Sequence, residues 1–331
     1  MSSSTSNVVQ YLKEVLSGAT SDRTALTTSV LPALLDSIAA VASALSDAHH
    51  VALAGGTNAF GDDQLNVDVM AENLIREALA RCPTVATASS EEDPIERPIS
   101  SVSASSSEVY TVAFDPLDGS SIIAPNWTVG TIAGVWDGAT AIGSRPADAQ
   151  IASVLGVYGP RTTALIALRV PGAAKPVCID VGYVAATGAW ELVHPEVTLA
   201  PAAEARTKYF APANIRCSAE LTPYGDLIAH YIASKYTLRY AGGLVPDLVH
   251  ILVKRHGIYL SPVTAASTPK LRRLYELCPV ALVLETVGGK AVDPVSGEPV
   301  LDTPLADTDE RGGLVCGTAE EVDKAMEWLT R

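Results

Sequence analysis

AFDPLDGSSII, residues 113–123, places Asp115 and Asp118 three positions apart across a Pro-Leu pair and runs at once into Gly119, Ser120 and Ser121. The preceding VYTVAF alternates as a strand does, so this sequence reads as a strand delivering two carboxylates onto a tight turn. If the segment after the turn opens a helix, its free N–H groups and two hydroxyls face an anion, and Gly119 lets the backbone approach closely. A cation and a phosphate held together would need this arrangement. An Asp-x-x-Asp-Gly turn that serves only its own backbone bonds would also read this way, so the rest of the chain has to decide.

Outward from this turn the pattern is mixed α/β. On the N-terminal side, VVQYLKEVL and LTTSVLPALLDSIAAVASALS carry apolar residues at helical spacing. A Gly-rich break, LAGGTNAFGDDQLNVD, leads into an amphipathic VMAENLIREALARC, and the Ser-rich ISSVSASSSEV reads as a surface loop. Downstream, TVGTIAGVW, TTALIALRV and PVCIDVGYV are strand-like in their Val, Ile and Thr content. From about Ala200 helices and strands alternate, with YGDLIAHYIASKY, PDLVHILVKRHG and KLRRLYELCPVALVLETVGG as helices. GIYL and GLVCG read as strands, and AEEVDKAMEWLT as the closing helix. The expected organisation is a sheet-rich half over 1–200 bearing the turn, and an α/β half over 201–331.

Composition narrows the classes. The chain has 331 residues, 48% hydrophobic and 18% charged, which fits a folded chain with ample core. A net charge of −14 argues against a general nucleic-acid or anionic-membrane binder, which would need a broad basic surface. Five scattered cysteines (82, 178, 217, 278, 316) show no metal-type pairing and read as thiols in a reducing compartment. No apolar run in the sequence looks long enough to cross a bilayer, and the first residues lack a secretory core. The expected location is the cytoplasm, with a plastid or other organelle left open.

Acidic residues beside turn residues recur in four segments. Asp62 and Asp68 lie in GDDQLNVD, Glu91 and Glu92 in SSEEDP, Asp115 and Asp118 in DPLDGSS, and Glu285 in VLETVGG. Mg²⁺ prefers carboxylate oxygens while keeping room for water and phosphate, so two or three ions would use about this many acids from separate elements. An isolated Glu-Glu pair is ordinarily a solvated surface feature. Glu285 is the most telling position, because a lone carboxylate in the apolar PVALVLETVGG is costly to bury without compensation.

Taken together, SEE, FDPLDGSS, VGTI and KLRRLYE resemble the fructose-1,6-bisphosphatase superfamily, over roughly Ala54 to Val315. Within it, GTNAFGDDQLNVD, GVYGPRTT, NIR and YTLRYAGGLVPD are similar to the sedoheptulose-bisphosphatase branch. The resemblance implies a layered α/β/α/β/α sugar-phosphatase fold. It implies Glu91, Asp115, Asp118, Glu285 and the Leu117 carbonyl as metal ligands, with Asp62 in the same cluster. Asp68 and Glu92 would take the proton from the attacking water. Asp118, Gly119, Ser120 and Ser121, with Arg272, would hold the departing phosphate, and Arg239, Tyr240 and Lys270 the distal phosphate and sugar. Arg216 is weighed equally as a further distal cation and as a structural residue, and Lys270, Arg272 and Arg273 would otherwise read as a basic helix face.

The implied activity is Mg²⁺-dependent hydrolysis of the 1-phosphate of sedoheptulose 1,7-bisphosphate, with Mn²⁺ as a substitute ion. Fructose-1,6-bisphosphatase activity, alone or alongside, is the alternative; an inositol-phosphate-type phosphatase or an inactive sugar-phosphate sensor is less favoured. The family's arginine at the Arg239 position reaches in from a neighbouring subunit, implying a dimer or tetramer. Departures are Ser261 where fructose bisphosphatases have a distal-site tyrosine, Val109-Tyr110 where they have the Lys-Tyr of their AMP site, and no cysteine before Cys82 where plastid relatives carry a regulatory pair.

Overall fold

The computed structural model describes residues 3–19, 23–57, 63–99 and 107–330. Asp62 and the heart of the Ser-rich run, 100–106, lie outside the described residues. The architecture is α/β, with two principal mixed sheets interleaved by helices. The larger sheet has eight strands in the order Ala189–His194, Val177–Val184, Thr162–Leu168, Gln150–Tyr158, Val129–Asp137, Tyr110–Asp118, Val85–Ser90 and Arg97–Pro98. Neighbours pair antiparallel, except that Val85–Ser90 runs parallel to Tyr110–Asp118.

Both faces of this sheet are covered, which explains strands apolar at nearly every position. Val112, Phe114, Ala133, Val154 and Ile166 point into one core, shared with Leu31, Leu34 and Ile38 of Leu31–Asp47 and with Val67, Ala71 and Ile75 of Asn66–Leu79. Ala113, Ile132, Leu155 and Leu165 point the other way, onto the helices Leu244–Lys254 and Cys278–Thr286. Gly130 makes that second packing close: a Cβ there would stand 2.5 Å from Val245 Cβ. Leu26–Asp47 is apolar and long enough to cross a membrane by length and composition, but half of it is buried, and its apolar face belongs to the first core.

The second sheet has five strands, ordered Thr237–Leu238, Tyr209–Pro212, Ile258–Ser261, Leu314–Thr318 and Gly289–Val292. The helices Thr222–Ala233 and Ala319–Leu329 cover its far face through Tyr224, Leu227, Val322 and Ala325. The layers therefore run helix, sheet, helix, sheet, helix, as expected. The helices read from periodicity and the strands read from Val, Ile and Thr content are present at the stated places. Two differences arise. The described parts of the Gly-rich break pair as a ribbon, Leu53–Thr57 with Asp63–Leu65. KLRRLYELCPVALVLETVGG is not one regular helix: Leu271–Arg272 is extended, and Arg273–Leu277 is a wide π turn closed by Cys278 N–H on the Arg273 carbonyl.

Candidate active site

The DPLDGSS turn sits at the end of a central strand. Pairing between Tyr110–Asp118 and Val129–Asp137 slips between Asp115 and Asp118, where Pro116 removes a donor. Leu117 N–H donates to Asp115 Oδ1 at 3.0 Å, closing an Asx turn, and Thr131 Oγ1 donates to the Pro116 carbonyl at 2.7 Å. Gly119 then takes φ +101, a conformation that costs a residue with a Cβ, and caps the single helical turn Ser120–Ile123. Ser120 Oγ lies 3.1 Å from the Leu117 carbonyl and 3.0 Å from Asp68 Oδ1. Ser121 is exposed on the same turn.

Acids from other elements converge on this point. Asp68 is at the first turn of Asn66–Leu79, where its Oδ2 accepts Leu65 N–H at 3.0 Å and fixes the helix start. Glu91 and Glu92 leave the parallel neighbour strand: Glu91 N–H donates to the Phe114 carbonyl at 3.2 Å, and Gln64 Nε2 donates to Glu92 Oε2 at 2.5 Å. One carboxylate oxygen from each of Glu91, Asp115 and Glu276 lies within 4.8 Å of the other two. Asp118 adds a fourth acid to this neighbourhood. Its two oxygens accept Leu244 N–H and Val245 N–H at 3.0 and 2.6 Å, so it also anchors the N-terminus of Leu244–Lys254.

The electrostatics follow from burial. Asp68, Asp115, Asp118 and Glu276 are all buried. Burial, then the charges of Glu91, Glu276 and Asp118, holds the Asp115 carboxyl well above the usual range, and burial and Glu91 do the same for Glu276. Burial pushes Asp118 up to about 6 against the opposing bonds from Val245 and Leu244. Burial likewise raises Glu92 to about 7, opposed by the Gln64 bond and reinforced by Asp68, Glu91 and Glu72. Arg272, 2% exposed, brings its guanidinium to Glu91, and its backbone N–H donates to Glu276 Oε2 at 2.5 Å. Several mutually repelling buried carboxylates against that guanidinium form a set that a hard divalent cation would stabilise. The donor set therefore fits such an ion.

One expected ligand is corrected. Glu285 stands nine positions beyond Glu276 along the helical run, roughly 13 Å at 1.5 Å per residue. Its carboxylate is 30% exposed and paired with Arg169 Nη1 at 3.0 Å, which supplies the compensation its apolar surroundings demanded. Glu276, in LYELCP, takes the place in the cluster. The same argument from a lone acid in an apolar stretch applied to it, and the π turn at Arg273–Leu277 aims it back toward Arg272.

Of the expected substrate residues, Tyr240 is near the cluster. Burial and Asp247 raise its phenol, Arg216 opposes them, and Asp118 acts on it as well. Arg216 is exposed on the turn Ile215–Ala219. Lys270 is exposed just before Leu271–Arg272. Arg239 is turned away from the cluster, donating to the neighbouring Leu238 carbonyl at 2.8 Å, with its guanidinium 5.9 Å from the Tyr209 ring centre. Arg273 belongs to a separate network with Glu310 and the Thr303 carbonyl. Sequence reasoning missed Gln64 and Asp247, the latter accepting Ala241 and Gly242 N–H at 2.5 and 3.1 Å and shaping the turn beside Tyr240.

Comparison with known proteins agrees with this geometry. Residues 9–195 match the fructose-1-6-bisphosphatase N-terminal domain and 203–330 its C-terminal domain. The chain is 38% identical over 279 residues to the chloroplastic sedoheptulose-1,7-bisphosphatase of Triticum aestivum, covering 83% of this chain and 67% of that one. It is 31% identical over 280 residues to the class 1 fructose-1,6-bisphosphatase of Geobacter sulfurreducens, covering 84% and 83%. It thus spans about two thirds of the plant relative. A Toxoplasma gondii structure named as a candidate sedoheptulose-1,7-bisphosphatase superposes with TM-score 0.85 at 35% identity, covering 98% of each chain. The holo Leishmania major fructose-1,6-bisphosphatase gives 0.81 at 26%, again covering 98% of each. With both family domains matched in order around one buried carboxylate cluster, the chain belongs to the fructose-1,6-bisphosphatase family.

Proposed function

We propose that the chain is a sugar-bisphosphate phosphatase that removes the 1-phosphate of sedoheptulose 1,7-bisphosphate, leaving sedoheptulose 7-phosphate. The observation that carries this reading is the convergence of Asp68, Glu91, Glu92, Asp115, Asp118 and Glu276 around the Gly119–Ser121 turn. Glu91, Asp115 and Glu276, with Asp118 and the Leu117 carbonyl beside them, would hold the divalent ions, and Asp62 belongs to the proposed set. Bound Mg²⁺ supplies charge neutralisation at the phosphoryl group and acidifies a ligated water.

The chain's own residues then do three things. Asp68 and Glu92 accept the water's proton; Glu92, raised to about 7, is well placed to take one and give it back near neutrality. Gly119, Ser120 and Ser121 offer N–H and hydroxyl donors to the phosphate, with Ser120 held in place by Asp68. Tyr240, Arg216 and Lys270 face the far end of the sugar, and Arg239 serves an adjoining subunit of a homo-oligomer. The seven-carbon preference is supported by the plant relatives at 38% identity and by Arg216 and the GGLVPD turn. Fructose 1,6-bisphosphate is the second reading, supported by the bacterial relatives at 31% identity and the Leishmania structure.

Phosphate release in Mg²⁺, with the remaining phosphate located by ³¹P NMR, tests the reaction. The expected product keeps the 7-phosphate, and Asp68→Asn abolishes turnover with KM nearly unchanged. A nearly normal kcat for that variant removes Asp68 from the mechanism.

A further inference from the structure

A second concave surface lies apart from the carboxylate cluster, between the 200–207 loop and the C-terminal end of Leu244–Lys254. It encloses about 330 Å³, at the small end for a ligand site. Arg206, Lys254, Arg255 and His256 line it against one carboxylate, Glu204. In a chain with 37 acidic and 23 basic residues, such a concentration of cations runs against the average. Elsewhere most arginines are spent on carboxylates, as in Arg23 on Asp137, Arg169 on Glu285 and Arg273 on Glu310. Here Arg255 is fixed on Thr198, donating to its carbonyl and hydroxyl at 3.1 and 3.3 Å. Arg206 and Lys254 have no ion-pair partner among the described residues.

The floor provides an independent sign. His256 is 1% exposed; its Nε2 faces the Glu321 carboxylate at 3.6 Å, while its Nδ1 has no hydrogen-bond partner. A buried ring nitrogen without a partner is costly unless something arrives to meet it. Lys254 and Arg255 alone would be explained by the partial negative charge at a helix C-terminus. That explanation accounts for neither Arg206 nor the unpartnered Nδ1 of His256. Tyr209, also in the wall, carries the Arg239 guanidinium over its ring, so the cavity adjoins the residue proposed to act across subunits.

We propose that this cavity binds a small, multiply charged anion of the phosphate or phosphate-ester class. Arg206 and Lys254 supply the charge, and His256 a buried directional contact. The occupant sits apart from the site of hydrolysis. Inorganic phosphate is the probe: equilibrium dialysis of the full chain against Arg206→Glu/Lys254→Glu, with Tm confirming that both are folded. The proposal predicts one phosphate equivalent more per chain in the parent than in the double variant, the latter still hydrolysing substrate. In crystals soaked with tungstate, an anomalous peak between Arg206 and His256 is expected, and it disappears in the double variant. Equal phosphate stoichiometry in the two proteins, or a cavity filled by an acidic segment of a neighbouring chain, would overturn it.

Discussion

Replacing Glu276 by glutamine separates the observed cluster from the ligand set that the sequence implied. Glu276 brings a carboxylate oxygen within 4.8 Å of those of Glu91 and Asp115. At the effective dielectric constant of about 20 that suits such sites, two unit charges at that distance repel by about 3 kcal/mol. The amide of the Glu276→Gln variant keeps an oxygen to accept the Arg272 backbone N–H and fills the same volume. In the absence of divalent ions the variant should therefore be more stable than the parent, by about 2 kcal/mol after allowing for partial protonation of the buried acids. Thermal unfolding in EDTA would show this as a rise of several degrees. Adding Mg²⁺ should stabilise the parent and leave the variant nearly unmoved, while kcat falls at least ~100-fold, a rise of about 2.7 kcal/mol in the barrier. Glu285→Gln loses only a partly exposed pair with Arg169, worth at most about 1 kcal/mol, and should hold kcat within about twofold. An inactive Glu285→Gln beside a Glu276→Gln of normal activity and unchanged Mg²⁺ response would refute the reasoning.

Other perturbations address separate parts of the site. Gly119→Ala forces a Cβ at φ +101 to within 3.1 Å of Val129 Cγ1, so it should cost about 1–3 kcal/mol in urea unfolding and lower kcat by displacing Ser120. Burial raises Asp247 to about 7 from a usual value near 3.8. The folded chain therefore holds a proton there that the unfolded chain releases, and this contribution is full below about pH 4 and lost as pH rises through 7. Asp247→Asn should flatten that part of a Tm-against-pH curve; an unchanged slope would dismiss it. Arg216→Ala should raise KM for the seven-carbon bisphosphate roughly tenfold or more with kcat within about threefold, and an unaltered KM would assign Arg216 a structural role.

What could be read from the sequence divides along local and long-range lines. The DPLDGSS turn was legible because its conformation is set within a few residues, by Pro116, the Asx bond of Asp115 and the positive φ of Gly119. The doubly buried strands were legible from their Val, Ile and Thr content, since both faces of the sheet meet helices. Glu276 was passed over because periodicity treats Lys270 to Thr286 as one regular helix, whereas the extended Leu271–Arg272 and the π turn after it rotate the side chains out of that register. The anchoring of Asp118 on Leu244 and Val245, 126 and 127 residues away, leaves no local trace at all. Arg239 reads as a cation, but its position on the Leu238 carbonyl and over the Tyr209 ring, 30 residues back along the chain, leaves no local trace.

The most direct test of the account is phosphate release in Mg²⁺ from sedoheptulose 1,7-bisphosphate and fructose 1,6-bisphosphate, measured in parallel and compared as kcat/KM. Turnover of both is expected, with a clear preference for the seven-carbon sugar. Preference for the six-carbon sugar would keep the carboxylate site and contradict the reading of Arg216 and the GGLVPD turn. No release from either, with the protein folded and Mg²⁺ bound, would contradict the central claim.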